Sequence, residues 1–327
     1  MAQSSRPPVG QLSLFAPDPP PREDYPDFSS EAQLASQLPP HVRFGTSSWT
    51  FPGWAGLVYP RGVTERILRE RGLELYVKNP LFRTVGVDRS AYAPLTDDDV
   101  TRYAAQLPSG FPCVLKAWNA VTTRIDPRTR VRNPHYLDRA LFEDSVLGPL
   151  RRSFGGHVGV LVLEFPPGRG SEPLAPGPFV DGLAQFLRDL PPEFPYAVEI
   201  RNQNYLTPAY LECLNTYGVA HVVNQWERMP RVGEQLALEG VLTAKHVVCR
   251  LLLPTGGDYE LLREAYSPFN RIVSPDEGMR RDVSELIRRS GEEGRTVYVL
   301  VNNKMEGSSP LTVRALAERV VTAAGAG

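Results

Sequence analysis

Two glutamates, Glu164 and Glu199, each stand near the end of a short apolar run that is typical of a buried strand. If the two strands are neighbours, the carboxyl groups lie side by side, as reactions such as glycoside hydrolysis require. Alternation along a strand places Ala197, Glu199 and Arg201 on one face. The pattern of its own strand does not determine to which face of the sheet the side chain of Glu164 points. We therefore take Glu199 as a candidate base or nucleophile and Glu164 as a candidate acid.

Three cationic side chains, Lys116, Arg201 and Arg250, lie in or directly after three other apolar runs. Together they suit an anionic ligand such as a phosphate or a carboxylate, and Lys116 joins the two glutamates as a candidate catalytic residue. In the alternative interpretation, Glu199 forms an ion pair with Lys116 or Arg201 and only stabilises this end of the protein. The sequence leaves both interpretations open.

Further polar and aromatic residues follow the apolar runs and are candidate ligand-binding residues beside Arg201 and Arg250. They are Trp49, Tyr59, Asp88, Asn302 and Asn303. Aromatic rings can stack on a sugar ring or a nucleobase. The alternative is that these rings only fill the core at this end.

Short β-branched runs alternate with helical stretches from residue 41 onwards. The predicted strands cover 42–47, 83–87, 113–117, 158–163, 196–200, 219–223, 247–251 and 297–301. The predicted helices cover 64–71, 97–106, 134–152, 178–189, 208–217, 276–290 and 311–323, with a weakly marked helix near 233–239. Eight such units predict an α/β fold, a (β/α)8 TIM barrel over residues 41–327. Chemistry in such a barrel gathers at the carboxyl ends of the strands, where all the candidate residues stand.

Residues 1–40 differ from the rest of the chain in composition. Clusters of proline alternate there with serine, aspartate, glutamine and glutamate. Such a segment buries too little apolar surface to offset its ordering entropy, so we predict a disordered tail. One compact apolar island interrupts it, Gln11-Leu12-Ser13-Leu14-Phe15.

Composition excludes several classes of protein. The chain is 42% hydrophobic and its net charge is −1, so it has enough apolar residues for a large core and no strongly basic character that would indicate nucleic-acid binding. No apolar run is long enough to span a membrane and no signal peptide is evident, so we expect a cytoplasmic protein without membrane contact. The three cysteines are widely spaced, no metal-ligand spacing occurs, and no G-x-G-x-x-G follows the first strand. We therefore expect no metal and no cofactor.

Motifs along the barrel region resemble a known family. They are Gly45-Thr46-Ser47-Ser48-Trp49 with Trp54 and Tyr59-Pro60, then Lys116, then Val198-Glu199-Ile200-Arg201, and finally Tyr298-Val299-Leu300-Val301-Asn302-Asn303 with Glu306-Gly307. In this order they resemble the domain of unknown function 72 family, also called YecE-like proteins. The resemblance implies a TIM barrel, in agreement with the strand pattern, and it implies no particular activity. Asp88 and Glu164 stand where that family usually has asparagine and glutamine.

The apolar island of the tail resembles a second known element. Gln11, Leu12, Leu14 and Phe15 match a common form of the peptide by which bacterial proteins bind the DNA polymerase sliding clamp. A peptide in a disordered tail is accessible to such a partner, and its two terminal apolar side chains can fill a pocket. The alternatives are a chance apolar cluster and a strap that packs across the barrel.

Three functions remain open from the sequence. The first is an enzyme that acts on a polar, anionic, nucleic-acid-related substrate and is brought to DNA by its tail. The second is a non-catalytic binding module of the replication or repair machinery. The third is a glycoside-type hydrolase that uses the two carboxylates and has no use for the tail.

Overall fold

Eight parallel strands form a nearly closed barrel in the computed structural model, which describes residues 24–126, 128–167 and 174–325. The strands are β1 (Val42–Thr46), β2 (Val85–Val87), β3 (Cys113–Lys116), β4 (Val158–Phe165), β5 (Tyr196–Ile200), β6 (Ala220–Gln225), β7 (His246–Leu251) and β8 (Thr296–Val301). Their spatial order is β1-β8-β7-β6-β5-β4-β3-β2. The predicted fold, a (β/α)8 TIM barrel, is confirmed.

Helices connect the strands on the outside of the barrel. They are α1 (Ser29–Gln37), α2 (Glu65–Tyr76), α3 (Asp97–Ala104), α4 (Asn119–Thr122), α5 (Arg139–Phe142), α6 (Gly148–Ser153), α7 (Pro176–Arg188), α8 (Pro208–Tyr217), α9 (Val232–Leu236), α10 (Tyr259–Tyr266), α11 (Glu277–Glu292) and α12 (Ser309–Gly325). A π-helical turn, Glu143–Leu147, joins α5 to α6. None of the helices in the described ranges is both long and apolar enough to cross a membrane.

The first two strands meet where the barrel closes. The backbone N–H groups of Arg83 and Thr84 donate to the carbonyl oxygen of Phe44, at 2.8 and 3.3 Å. Gly45 permits this approach, because a β-carbon there would lie 2.1 Å from the carbonyl oxygen of Thr84. The closure brings the loops after β1 and β2 to the same end as those of the other strands.

Apolar side chains fill two separate layers. One layer packs the outer face of the strands against the helices. The other fills the inside of the barrel and consists of Val114, Val160, Val162, Ala197, Ala220, Val222, Ala244, Val248, Tyr298 and Leu300. Alternation therefore turns Glu164, Glu199 and Arg250 inward, one step beyond this inner layer. The direction of Glu164, which the sequence left undetermined, is thus settled by its inward-facing neighbours Val160 and Val162.

The amino-terminal part of the described chain corrects one domain boundary. Residues 24–40 were predicted to belong to the disordered tail, yet they include α1, which packs on α12. Glu31 forms an ion pair with Arg314 at 2.5 Å, and Ala35 and Leu38 are buried in the core. These contacts provide the burial that composition alone did not reveal. The clamp-like peptide, residues 11–15, lies outside the described residues.

Candidate active site at the barrel mouth

Six charged side chains meet at the carboxyl end of the barrel, and we call them the mouth cluster. They are Asp88, Lys116, Glu164, Glu199, Arg201 and Arg250. The strand register pairs Glu164 of β4 with Glu199 of β5, which places the two carboxyl groups next to each other. The structure thus brings together all three candidate catalytic residues and three of the candidate ligand-binding residues.

Arg250 occupies the centre of the mouth cluster and is 1% exposed. Its Nη1 donates to Glu199 at 2.5 Å and to Glu164 at 3.3 Å. Its Nη2 donates to both carboxylate oxygens of Asp88, at 2.8 and 2.9 Å. One guanidinium from β7 therefore holds carboxylates that belong to β4, to β5 and to the loop after β2. Its planar, permanently charged donors suit this multiple contact better than a lysine ammonium would.

Glu164 accepts from all three cations of the mouth cluster. Its Oε2 lies 2.7 Å from Lys116 Nζ, 2.9 Å from Arg201 Nη2 and 3.3 Å from Arg250 Nη1. Burial by itself raises the pKa of this carboxyl, but the charges of Arg201, Lys116 and Arg250 outweigh burial and hold the pKa well below its usual range. Glu164 is therefore ionised throughout the physiological pH range.

Glu199 is fully buried and contacts two cations. Its Oε1 lies 2.7 Å from Arg201 Nε, and its Oε2 accepts from Arg250 Nη1. The guanidinium of Arg201 in turn lies over the ring of Trp226, 4.3 Å from its centroid. The ion pair of Glu199 with Arg201, predicted as the alternative to catalysis, is present. Lys116, the other predicted partner, pairs with Glu164 instead.

This geometry does not favour the acid and base roles that we considered for the two glutamates. A general acid needs a raised pKa, whereas the cations around Glu164 lower it. A nucleophile needs access to substrate, whereas Glu199 has no exposed surface. The three carboxylates and three cations balance in charge, so the mouth cluster joins the strand ends without a net charge of its own.

The lowered pKa of Glu164 leads to a testable pH dependence. A carboxyl whose pKa is depressed on folding stabilises the protein above its unfolded pKa of 4.5, and this contribution is lost as the pH falls through the folded value. The free energy of unfolding of the wild type should therefore decrease more steeply between pH 5 and pH 3 than that of Glu164→Gln. We expect a difference in slope of up to about 1.4 kcal/mol per pH unit in urea titrations. Parallel slopes would contradict the ionised, paired state of Glu164.

Three residues predicted to bind ligand are buried and contact the loops of the mouth. Tyr59 has no exposed surface and its hydroxyl donates to the backbone carbonyl of Trp49, which is itself buried edge-on against Tyr103. Asn303 Oδ1 accepts from Trp54 Nε1 at 3.1 Å and from the backbone N–H and hydroxyl of Ser309. Trp49, Tyr59 and Asn303 therefore hold the loops of the mouth in place, because their side chains pack inward. Asn302 remains partly exposed at the end of β8.

One side chain of the mouth escaped the sequence analysis. Lys304 follows β8 by three residues, is 6% exposed, and has its Nζ 4.2 Å from the ring centroid of Tyr259 on α10. The rarity of lysine was the available signal, since the chain contains only Lys78, Lys116, Lys245 and Lys304. The sequence pattern also does not predict α10, the helix that carries Tyr259.

In the part of the chain that the structure describes, histidine and carboxylate side chains do not form a recognisable metal centre. No group of three or more His, Cys, Asp or Glu residues suited to a metal ion occurs within the described ranges. His221 is buried between the hydroxyl of Tyr210, at 3.1 Å, and Gln235 Oε1, at 3.2 Å. Burial lowers the pKa of His221 to about 4, so it is a neutral core residue at physiological pH.

Comparisons with known proteins agree with this architecture. The family model "Protein of unknown function DUF72" matches residues 43–326. A crystal structure of a DUF72 family protein from Thermotoga maritima has a TM-score of 0.60 at 19% identity, and the match covers 85% of this chain and 98% of that chain. A DUF72 family protein from Enterococcus faecalis has a TM-score of 0.60 at 16% identity, covering 86% and 95%. At these identities the structural likeness supports the fold alone. No curated protein matches the chain.

Proposed function

Since the chain belongs to the DUF72 family and folds as a TIM barrel, we propose that the barrel mouth is an active site for a small polar ligand that carries an anionic group. The observation that carries this proposal is the meeting of six charged side chains, four of them buried, at the end of the barrel where TIM-barrel enzymes bind substrate. Nucleotides and other phosphate-bearing nucleic-acid components are the ligands to test first.

The cost of burying charge supports a functional role for the mouth cluster. Well-packed apolar side chains of similar volume often stabilise a protein as well as a buried ion-pair network does, or better. The same barrel fills its lower interior with valine, alanine and leucine, so an apolar plug is available to this fold. Dense ionic networks in a cleft are also typical of sites that bind charged ligands.

The outward side of the mouth cluster is suited to contact a ligand. The ammonium of Lys116 has one close carboxylate partner and an 11% exposed side chain, so it can donate further hydrogen bonds. Asp88 is partly exposed, as is Trp226 beneath Arg201. Tyr259, at the rim, is 44% exposed and offers a flat face for a base or a sugar ring. The ligand that fits these groups has an anionic end and a planar end.

Binding of phosphate-bearing compounds tests the proposal. We expect Lys116→Gln to weaken the affinity for a nucleotide monophosphate at least about ten-fold, since a charge-assisted hydrogen bond contributes about 1.5–3 kcal/mol. Arg201→Ala should remove binding. Lys78→Gln is the matched control, because Lys78 is exposed at the end of α2, away from the strand ends. Calorimetry of wild type and variants measures the effect, and equal affinities for Lys116→Gln and Lys78→Gln would refute the anion site.

The two alternative functions predict different behaviour of the mouth cluster. A non-catalytic module would bind such compounds without turning them over, which product analysis of the bound ligands distinguishes. A glycoside-type hydrolase with Glu164 as the acid and Glu199 as the nucleophile would need the mouth cluster to open, because both carboxylates contact the same Arg250 Nη1. We therefore consider the hydrolase the least supported of the three functions.

We also propose that residues 11–15 bind the DNA polymerase sliding clamp and so bring the barrel to DNA. The support is the match of Gln11, Leu12, Leu14 and Phe15 to that peptide and the proline-rich sequence around it. Such recruitment agrees with a nucleic-acid-related ligand for the barrel. Binding of residues 11–15 to the clamp can be tested without reference to the mouth cluster.

A further inference from the structure

Lysine is scarce in this chain, and half of its lysines lie at the barrel mouth. Lys78 and Lys245 are exposed on the surface, whereas Lys116 and Lys304 are buried at the carboxyl ends of β3 and β8. Arginine supplies nearly all the other cationic side chains of the protein. A guanidinium is protonated at every physiological pH and does not act as an amine nucleophile, whereas a buried lysine amine does.

The two buried lysines differ in whether a carboxylate forms an ion pair with them. The ammonium of Lys116 forms an ion pair with Glu164 at 2.7 Å, which would be lost if it gave up its proton. Lys304 has no ion pair with any carboxylate of the described chain, and its Nζ lies against the face of Tyr259. Lys304 is therefore the amine that can become neutral without breaking an ion pair.

The burial of Lys304 favours the neutral amine. Burial lowers the pKa of Lys304 to about 8. Arg263 on α10 contributes to this lowering, whereas Glu260 on α10 and Asp88 after β2 oppose it by less than burial lowers the pKa. At pH 7.5 a pKa of about 8 leaves roughly a quarter of the side chain as free amine, against roughly 0.1% for an ordinary lysine.

The rim beside Lys304 can hold an organic ligand. Tyr259 is half exposed and Tyr92, after β2, is 81% exposed. Asp88 of the mouth cluster lies near enough to Lys304 to act on its charge. The amine thus lies against the partly exposed ring of Tyr259 and near Asp88 of the proposed anion site.

We propose that Lys304 is a nucleophile that forms an imine with an aldehyde or ketone group of the ligand. The nitrogen lone pair bonds to the carbonyl carbon, the carbonyl π electrons move to the oxygen, and that oxygen takes the proton that the nitrogen releases. The resulting carbinolamine takes one proton from solvent, expels water, and becomes a protonated imine as the nitrogen lone pair forms the C=N bond. The inference rests on the proposed function only in placing the ligand at the barrel mouth.

Reductive trapping tests the imine directly. The intact protein is treated at pH 7.5 with glycolaldehyde or with glycolaldehyde phosphate, in the presence of sodium cyanoborohydride, and labelling of each lysine is followed by peptide mass spectrometry. We expect Lys304 to be labelled at least about ten-fold faster than Lys78 or Lys245, because its larger free-amine fraction outweighs its lower basicity. Lys304→Arg keeps the charge and should abolish only this adduct.

The two probes separate this inference from the proposed anion site. Faster labelling of Lys304 by the phosphate-bearing probe, reduced in Lys116→Gln, supports both. Equal labelling of Lys304 by the two probes supports the imine and argues against the anion site. Labelling of Lys304 no faster than that of the surface lysines overturns the imine, whatever the anion site does.

Discussion

Replacing Arg250 by alanine should lower the free energy of unfolding by about 3–5 kcal/mol, the largest stability effect that we expect from a single change in this protein. Arg250 forms ion pairs with Asp88, Glu164 and Glu199 and is almost completely buried. Its removal leaves three carboxylates with only Lys116 and Arg201 as counter-charges. Urea denaturation of wild type and variant at pH 7.5 measures the loss.

Two controls separate lost charge from lost volume. Arg250→Met keeps most of the buried volume but not the charge, so it should lose nearly as much stability as alanine. Arg288→Ala removes an exposed guanidinium that also contacts two glutamates, Glu285 and Glu292, and it should leave stability nearly unchanged because solvent screens those pairs.

The pH dependence provides a second readout of the same change. Without Arg250 the carboxyl of Glu164 loses one of the charges that hold its pKa low, so its protonation should recover part of the lost stability at lower pH. The difference between wild type and Arg250→Ala should therefore shrink between pH 7 and pH 4. A loss below about 1 kcal/mol at pH 7.5 would show that the mouth cluster does not depend on Arg250.

Replacing Leu14 and Phe15 by alanine should abolish binding to the DNA polymerase sliding clamp. Burial of these two side chains in a pocket contributes about 1.5–3 kcal/mol each, and no other apolar pair in the peptide replaces them. Ordering of the peptide offsets part of this gain, so we expect a wild-type dissociation constant nearer micromolar than nanomolar. Hydrogen bonds of Gln11 orient the bound peptide and contribute little net binding free energy.

A labelled peptide of residues 6–20, titrated with clamp and followed by fluorescence anisotropy, measures this binding. Ser13→Ala is the matched control, because it changes the peptide between the anchoring side chains and should retain the affinity. The full-length double variant should unfold at the same urea concentration as the wild type. No change in anisotropy at tens of micromolar clamp would eliminate the proposal.

The positions of the strands and of most helices follow from the sequence. Runs of β-branched residues and helical periodicity are local properties, and eight of each kind in alternation are sufficient to specify a barrel. The helix at α9 was weakly marked and is present, whereas α1 and α10 were missed. The short helix α4 was missed as well, and α1 is polar in sequence and stabilised by its contacts with α12, which no local pattern contains.

The candidate residues were also found from sequence, but their roles were not. A position near the carboxyl end of a strand is enough to place a residue at the mouth, so Lys116, Glu164 and Glu199 were identified together. Whether a side chain then faces ligand or core depends on the loops that pack over it. Trp49 and Tyr59 follow β1 as expected, yet the fold buries both.

The sequence by itself determined the barrel, the inward face of Glu199 and the family membership, because each rests on residues close together in the chain. Only the tertiary structure decided which charges neutralise each other. Arg250 meets Asp88 across 162 positions of sequence, and the strand register sets Glu164 beside Glu199. A barrel brings all strand ends to one mouth, so several ionic pairings are compatible with one sequence pattern. The stagger and tilt of the strands select the pairing that forms, because ion pairs depend on distances that only the closed barrel defines.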